Sequence, residues 1–114
     1  MGANNSQTNL EKIVRALTYD ATAFANQTIT LTNGTVSSLT VPAGTKYALC
    51  YISSSTATDF IRYWLDGSTP TSSQGIKRIA ETAFDISGAD DIKNFKCYAS
   101  VASGPITLNV QYFR

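Results

Sequence analysis

The chain has 114 residues, 43% hydrophobic and 15% charged, with nine basic and eight acidic side chains that leave a net charge of +1. That length suits one domain burying roughly two thirds of the surface its unfolded chain exposes, and a near-neutral charge spread along the chain gives no electrostatic footprint for nucleic acid or an anionic membrane. With no apolar run near the ~18 residues of a membrane-spanning helix and no basic-then-apolar leader, the expectation is a chain made in a cytoplasm, with protein or neutral ligand as its partner.

Residues 2–9 are a polar lead. Leu10, Ile13, Val14 and Leu17 then recur at i, i+3, i+4 and i+7, and Thr8 stands three residues before Glu11 as in a capping box. This predicts a short amphipathic helix over residues 9–18. Isolated helices below about 12 residues are marginal in water, so the stripe has to dock, either on its own domain or on a neighbouring subunit. Residues 1–25 are therefore read as an arm and residues 26–114 as the folded domain.

From residue 26 the period changes to two. Gln27 to Thr32 alternates, Asn33-Gly34 carries a type I′ hairpin signal, and Thr35 to Val41 reads as the returning strand, ending at Pro42-Ala43-Gly44. Thr45 to Ile52 is almost continuously apolar through Tyr47-Ala48-Leu49-Cys50-Tyr51-Ile52, the pattern of a central strand covered on both faces. After a loop at Ser53-Ser54-Ser55-Thr56, Thr58 to Leu65 and Gly75 to Ile79 read as strands. Glu81 to Ile86 reads as a short edge strand turning at Ser87-Gly88-Ala89-Asp90. Ile92 to Ala99 and Ile106 to Phe113 complete the set. In the last, Ile106, Leu108, Val110 and Tyr112 face one way while Thr107, Asn109 and Gln111 face the other. Seven or eight short strands predict an all-β fold, an antiparallel β-sandwich or small jelly roll; the pattern fits jelly-roll and immunoglobulin-like topologies alike.

Little in the chain carries chemistry. There is no histidine, the commonest general base and a frequent metal ligand. The carboxylates Glu11, Asp20, Asp59, Asp66, Glu81, Asp85, Asp90 and Asp91 fall mostly at turns and strand ends, where aspartate serves the backbone. No enzyme, metal or cofactor is expected, and Asp85, Asp90 and Asp91 around Gly88 read as a solvated turn rather than a calcium loop. Cys50 and Cys97, both in predicted strands, read as buried reduced thiols in preference to a disulfide between neighbouring strands.

The densest stretch runs from Arg62 to Gly75. Alternation sends Ile61, Tyr63 and Leu65 to one face and Phe60, Arg62 and Trp64 to the other, so at least one aromatic set belongs to the core. Arg62 is expected to stack on Trp64 or to pair with a carboxylate. An alternative use of the region is a sugar-stacking platform built from Trp64, Tyr63 or Tyr51.

The pattern Arg-Tyr-x-x-Asp-Gly-x-x-Pro-Thr-x-x-x-Gly, at Arg62, Tyr63, Asp66, Gly67, Pro70, Thr71 and Gly75, resembles a motif of small β-structured virion proteins of tailed bacteriophages. Upstream, Leu39 to Leu49 looks like the strand that opens such domains. Downstream, Ile92-Lys93-Asn94-Phe95 and Leu108-Asn109-Val110-Gln111-Tyr112-Phe113 look like two of their later strands. The likeness spans about residues 36–114 and departs at Trp64-Leu65, where the motif is more polar. It implies a non-enzymatic structural component of a virion, capsid-decorating or minor structural, forming homo-oligomers or contacting other virion proteins. Leu10, Ile13, Val14 and Leu17 are then the candidate interface, and a carbohydrate-binding or adhesive module is the alternative.

Overall fold

The computed structural model describes residues 22–114. The strands are β1 (Ala23–Leu31), β2 (Val36–Ser38), β3 (Tyr47–Ser53), β4 (Phe60–Trp64), β5 (Ile76–Ile79), β6 (Ala83–Ser87), β7 (Lys96–Ser100) and β8 (Ile106–Phe113), with one short helix, α1 (Ala89–Asn94). They form two antiparallel four-stranded sheets, one ordered β1-β8-β3-β6 and the other β2-β7-β4-β5. The all-β expectation holds. The helix expected over residues 9–18, with Leu10, Ile13, Val14 and Leu17, lies outside the described residues.

Alternation builds the core. Ile106, Leu108, Val110 and Tyr112 of β8 are buried together with Ala48, Cys50 and Ile52 of β3 and Phe84 and Ile86 of β6. From the other sheet, Ile61 and Tyr63 of β4 and Cys97 and Ala99 of β7 join the same cluster. Tyr63 stacks on Phe84 with ring centroids 4.9 Å apart, and Phe95 packs against both at 5.5 and 6.1 Å. Gln27, on the inner side of β1, accepts a 2.6 Å hydrogen bond from the Tyr112 hydroxyl and a 3.1 Å bond from the Thr40 amide, tying the β2–β3 connection to the first sheet.

Several expectations are corrected. The predicted Asn33-Gly34 hairpin does not form: β1 pairs with β8 from Ala23↔Phe113 to Leu31↔Ile106, whereas β2 pairs with β7. The turn itself exists, with the Thr35 amide donating to the Thr32 carbonyl at 3.2 Å. Only Gly34 is left-handed, at φ 77°, whereas a type I′ turn needs both central residues there. The turn docks on the opposite layer instead: Gly34 donates to the Ala99 carbonyl at 2.9 Å and the Asn33 side chain accepts from Val101 at 2.9 Å. β2 is correspondingly short, and β1 begins at Ala23, inside the stretch assigned to the arm.

The strand expected over Ile92 to Ala99 begins only at Lys96, because residues 89–94 are α1. Asp90 and Asp91 occupy its first turn and Lys93 its last, the arrangement that favours a helix dipole. Asp85 lies apart on β6, where it accepts from the Tyr47 hydroxyl at 3.0 Å. Glu81, placed at the start of a strand, is a left-handed turn residue with φ 62°. β3 is central as expected but is covered on one face only, with Leu49 43% and Tyr51 39% exposed.

Cys50 and Cys97 are free and buried between the sheets. Burial pushes both thiols from 9.0 to about 12; at Cys50 the proximity of Cys97 and Asp85 adds to it, while at Cys97 a bond from Ser37 works in the opposite sense. Burial likewise raises the Tyr112 phenol from 10.0 to about 12. The folded chain keeps these protons where the unfolded chain releases them, so their contribution to stability is complete below pH 9 and is lost as the pH climbs towards 12. Two outcomes are expected: the urea midpoint falls steadily above pH 9, and a thiol reagent at pH 8 modifies neither cysteine until the chain is unfolded.

Candidate functional site

The Arg62–Gly75 motif coincides with the β4–β5 connection, the one link between consecutive described strands that stays within a sheet. Its residues hold one another. Asp66 accepts from the Ser68 amide at 3.0 Å, an aspartate-led turn that also lowers the Asp66 carboxyl below its ordinary value. Gly67, at φ 85°, donates to the Asn94 carbonyl at 3.1 Å and so fastens the loop to the end of α1. Thr71 forms a second turn, its hydroxyl accepting from the amides of Ser73 and Gln74 at 3.3 and 3.0 Å. Pro70 is fully buried.

Arg62 closes the loop from within. Its Nε donates to the Ser72 carbonyl and its Nη1 to the Gly75 carbonyl, both at 3.1 Å. The expected stack on Trp64 or pairing with a carboxylate is replaced by these bonds and by Phe60, whose ring centroid lies 5.5 Å from the guanidinium carbon. The reversal brings two loop carbonyls beside the guanidinium, and Arg62 is a fixed donor pointing at its own chain. Tyr63, the other motif side chain at the head of the loop, is core. Gly75 packs so closely that a Cβ there would lie 3.0 Å from Arg62 Cβ, 3.1 Å from the Tyr63 nitrogen and 3.2 Å from Pro70 Cβ.

The expected aromatic platform is divided between places. Tyr63 is buried, Trp64 is half-buried on the outer face of the second sheet, and Tyr51 stands on the outer face of the first. Around Trp64 lie its cross-strand partner Lys96 and the Arg62 neighbours Tyr98 and Lys77; the Lys77 ammonium sits 4.4 Å from the Phe60 centroid. This face is cationic and aromatic. The first sheet's outer face holds a groove of about 390 Å³, whose lining includes Leu49, Tyr51, Ala83, Asn26, Thr28 and Asn109.

One polar hub escaped the sequence. Asp59 is 1% exposed; it accepts from the Ser54 hydroxyl at 2.6 Å and from the Ala102 amide at 2.8 Å. Ser54 also donates its amide to Glu81 at 3.0 Å, and Glu81 accepts from the Tyr51 hydroxyl at 2.6 Å. That bond raises the Tyr51 phenol and, as the first cause, lowers the Glu81 carboxyl. The network closes three connections at one end of the molecule. Ala102 stands 43 positions from Asp59, so no local pattern announces the pair.

Comparisons with protein families, curated proteins and solved structures return no match.

Two substitutions test the structural assignment of these residues. Gly75→Ala combines a φ of 130° with three close contacts and is expected to destabilise by about 2–3 kcal/mol. Asp59→Ala removes the acceptor of the Ser54 hydroxyl and the Ala102 amide, both part-buried bonds, and is expected to cost about 1–3 kcal/mol. Urea unfolding checks both, and midpoints unchanged from the parent would show that neither residue holds the fold.

Proposed function

We propose that the two sheets form a jelly roll and that the chain is a non-enzymatic structural component of a tailed-phage virion, of capsid-decorating or minor structural type. The observation that carries this reading is the strand order, β1-β8-β3-β6 facing β2-β7-β4-β5, with nearly every connection crossing between sheets. That is the order of two Greek keys wrapped into eight strands, an architecture used by viral capsid and lectin domains. The warrant is one of fold. The motif resemblance narrows it to virions, and the way Arg62, Asp66, Gly67, Thr71 and Gly75 all serve the loop itself suits a structural role more than a ligand site.

The mode of action in this reading is contact with copies of itself and with other virion proteins. The exposed apolar side chains Val36, Leu49, Tyr51 and Ile79 are spread over both outer faces, where contacts between subunits would bury them. Residues 1–25, less the part that enters β1, would supply an exchangeable arm.

A second reading, carbohydrate binding, is favoured by one observation: Trp64, the single tryptophan, stands on an outward face diagonal to Tyr98. The two readings separate experimentally. Electron microscopy of particles carrying a tagged copy is expected to show regular occupancy of one particle site. Deleting residues 1–20 is expected to leave a folded protein that no longer incorporates; a deletion that unfolds the domain would sink the arm's role. A saturable fluorescence shift with oligosaccharides, abolished in folded Trp64→Ala, would replace the virion reading by the second.

A further inference from the structure

The register of the first sheet sorts its outer face into two halves. Across the sheet, Thr28, Asn109, Tyr51 and Ala83 form one row, and Asn26, Gln111 and Leu49 form the next, about 7 Å along the strands. β1 and β8 therefore contribute carboxamides and a hydroxyl, and β3 contributes an aromatic ring beside an aliphatic chain. These residues line the groove of about 390 Å³, a volume within the roughly 300–1,000 Å³ of small-ligand sites.

The fold uses only part of the polar lining. Thr28 donates to Asn109 Oδ1 at 3.2 Å, and Gln111 Nε2 donates to the Ala25 carbonyl at 2.7 Å. Among the described residues, this leaves Asn109 Nδ2 as a free donor, Gln111 Oε1 as a free acceptor and the Asn26 side chain with both. Tyr51 is held in place as well. Its hydroxyl donates to Glu81 at 2.6 Å, while the residue stays 39% exposed opposite Ala83, which is too small to cover it. A ring already fixed in one position loses little freedom when a ligand stacks on it.

Each feature narrows the occupant. Among the described residues no charged side chain lines the groove, so nothing there compensates a carboxylate, phosphate or ammonium group. Unpaired carboxamides disfavour a purely apolar occupant, which would strip their water and return no hydrogen bond. A peptide adding itself as a strand needs a free edge, and the groove lies over β8 and β3, both internal strands of the sheet. A neutral saccharide meets all three conditions. Its hydroxyls both donate and accept, as carboxamides do, and the C–H face of a pyranose packs on an aromatic ring.

We propose that this groove binds a neutral saccharide, with a sugar ring stacked on Tyr51 beside Leu49 and its hydroxyls bound by Asn26, Asn109 and Gln111. The site is distinct from the face that carries Trp64, which belongs to the other sheet. In the virion reading it gives the first sheet's outer face to a glycan and leaves Val36 and Ile79, on the second sheet, for contact between subunits. The groove and its free amides are the same whether or not the chain belongs to a virion.

The test is a titration of the isotope-labelled full chain with cellohexaose, maltohexaose, xylohexaose, mannohexaose and chitohexaose, read from the side-chain amide signals of Asn26, Asn109 and Gln111. At least one probe is expected to shift these signals saturably, with a Kd of about 1 mM or tighter, while the Trp64 indole signal stays where it is. Asn26→Ala, which removes no hydrogen bond of the described fold, and Tyr51→Ala are each expected to weaken that binding at least ten-fold; Trp64→Ala is expected to leave it unchanged. If Tyr51→Ala does not fold, Asn26→Ala decides alone. The proposal is overturned if no probe gives a saturable shift at up to about 10 mM, or if binding survives Asn26→Ala. Loss of binding in Trp64→Ala would move the saccharide to the second sheet, and tighter binding of hexagalacturonate than of every neutral probe would refute a neutral ligand. Failure of the virion reading shows instead in particle occupancy, which this titration does not touch.

Discussion

The stack of Tyr63 on Phe84, with Phe95 against both, is the contact on which the rest of the architecture depends. It joins β4 of one sheet, β6 of the other and the segment that leaves α1. Ring pairs of this kind contribute about 0.5–1.5 kcal/mol each beyond the area they bury. Their larger effect here is positional. Consecutive strands mostly lie in different sheets, so backbone ladders fix each sheet internally but not the two against each other; side-chain packing between the layers does that.

Polar groups complete the arrangement at the ends, where the connections cross. Gln27 binds the Tyr112 hydroxyl and the Thr40 amide, Asp59 binds Ser54 and Ala102, and Arg62 binds the Ser72 and Gly75 carbonyls. Each joins parts of the chain at least ten residues apart except for Asp59 with Ser54. Among the described residues no buried side-chain polar atom lacks a partner. The Arg62-Tyr63 dipeptide shows how closely the two kinds of force are interleaved. Alternation turns Tyr63 into the core and Arg62 outward over the loop, so adjacent residues anchor the layer contact and the one same-sheet connection between described strands.

Which parts of this were legible in the sequence follows from the range of each signal. β8 was legible from Ile106 to Phe113 because strict alternation and Pro105 before it act locally. The turn at Asn33-Gly34 was legible as a reversal, but a turn does not name the ladder partner; β1 gained a longer one in β8, 75 to 90 positions along the chain. α1 was hidden because its six residues bury a single apolar side chain, Ile92, too few to display a period. The motif loop was legible as turn chemistry through Asp66, Gly67 and Pro70. The partners of Arg62 were not, since the carbonyls of Ser72 and Gly75 reach it only after the loop has folded back. Asp59 looked like any turn aspartate for the same reason.

The most informative disagreement concerns β3. Its continuous apolar pattern called for cover on two faces, and the described residues cover one. A central strand with exposed Leu49 and Tyr51 leaves apolar area in water at a cost of roughly 25 cal/mol per Å², and its neighbours β6 and β8 do not shield it. On the second sheet the outer surface differs in kind: Lys77, Lys96 and Arg62 alternate with Phe60, Trp64 and Tyr98, and aromatic rings there are partly covered by cations. The two faces thus differ in kind, Leu49 and Tyr51 standing over β3 and cations interleaved with rings over β4, with Val36 and Ile79 also exposed on the second sheet. Two unlike faces give the molecule a direction, so that a contact made through one of them is not the contact made through the other.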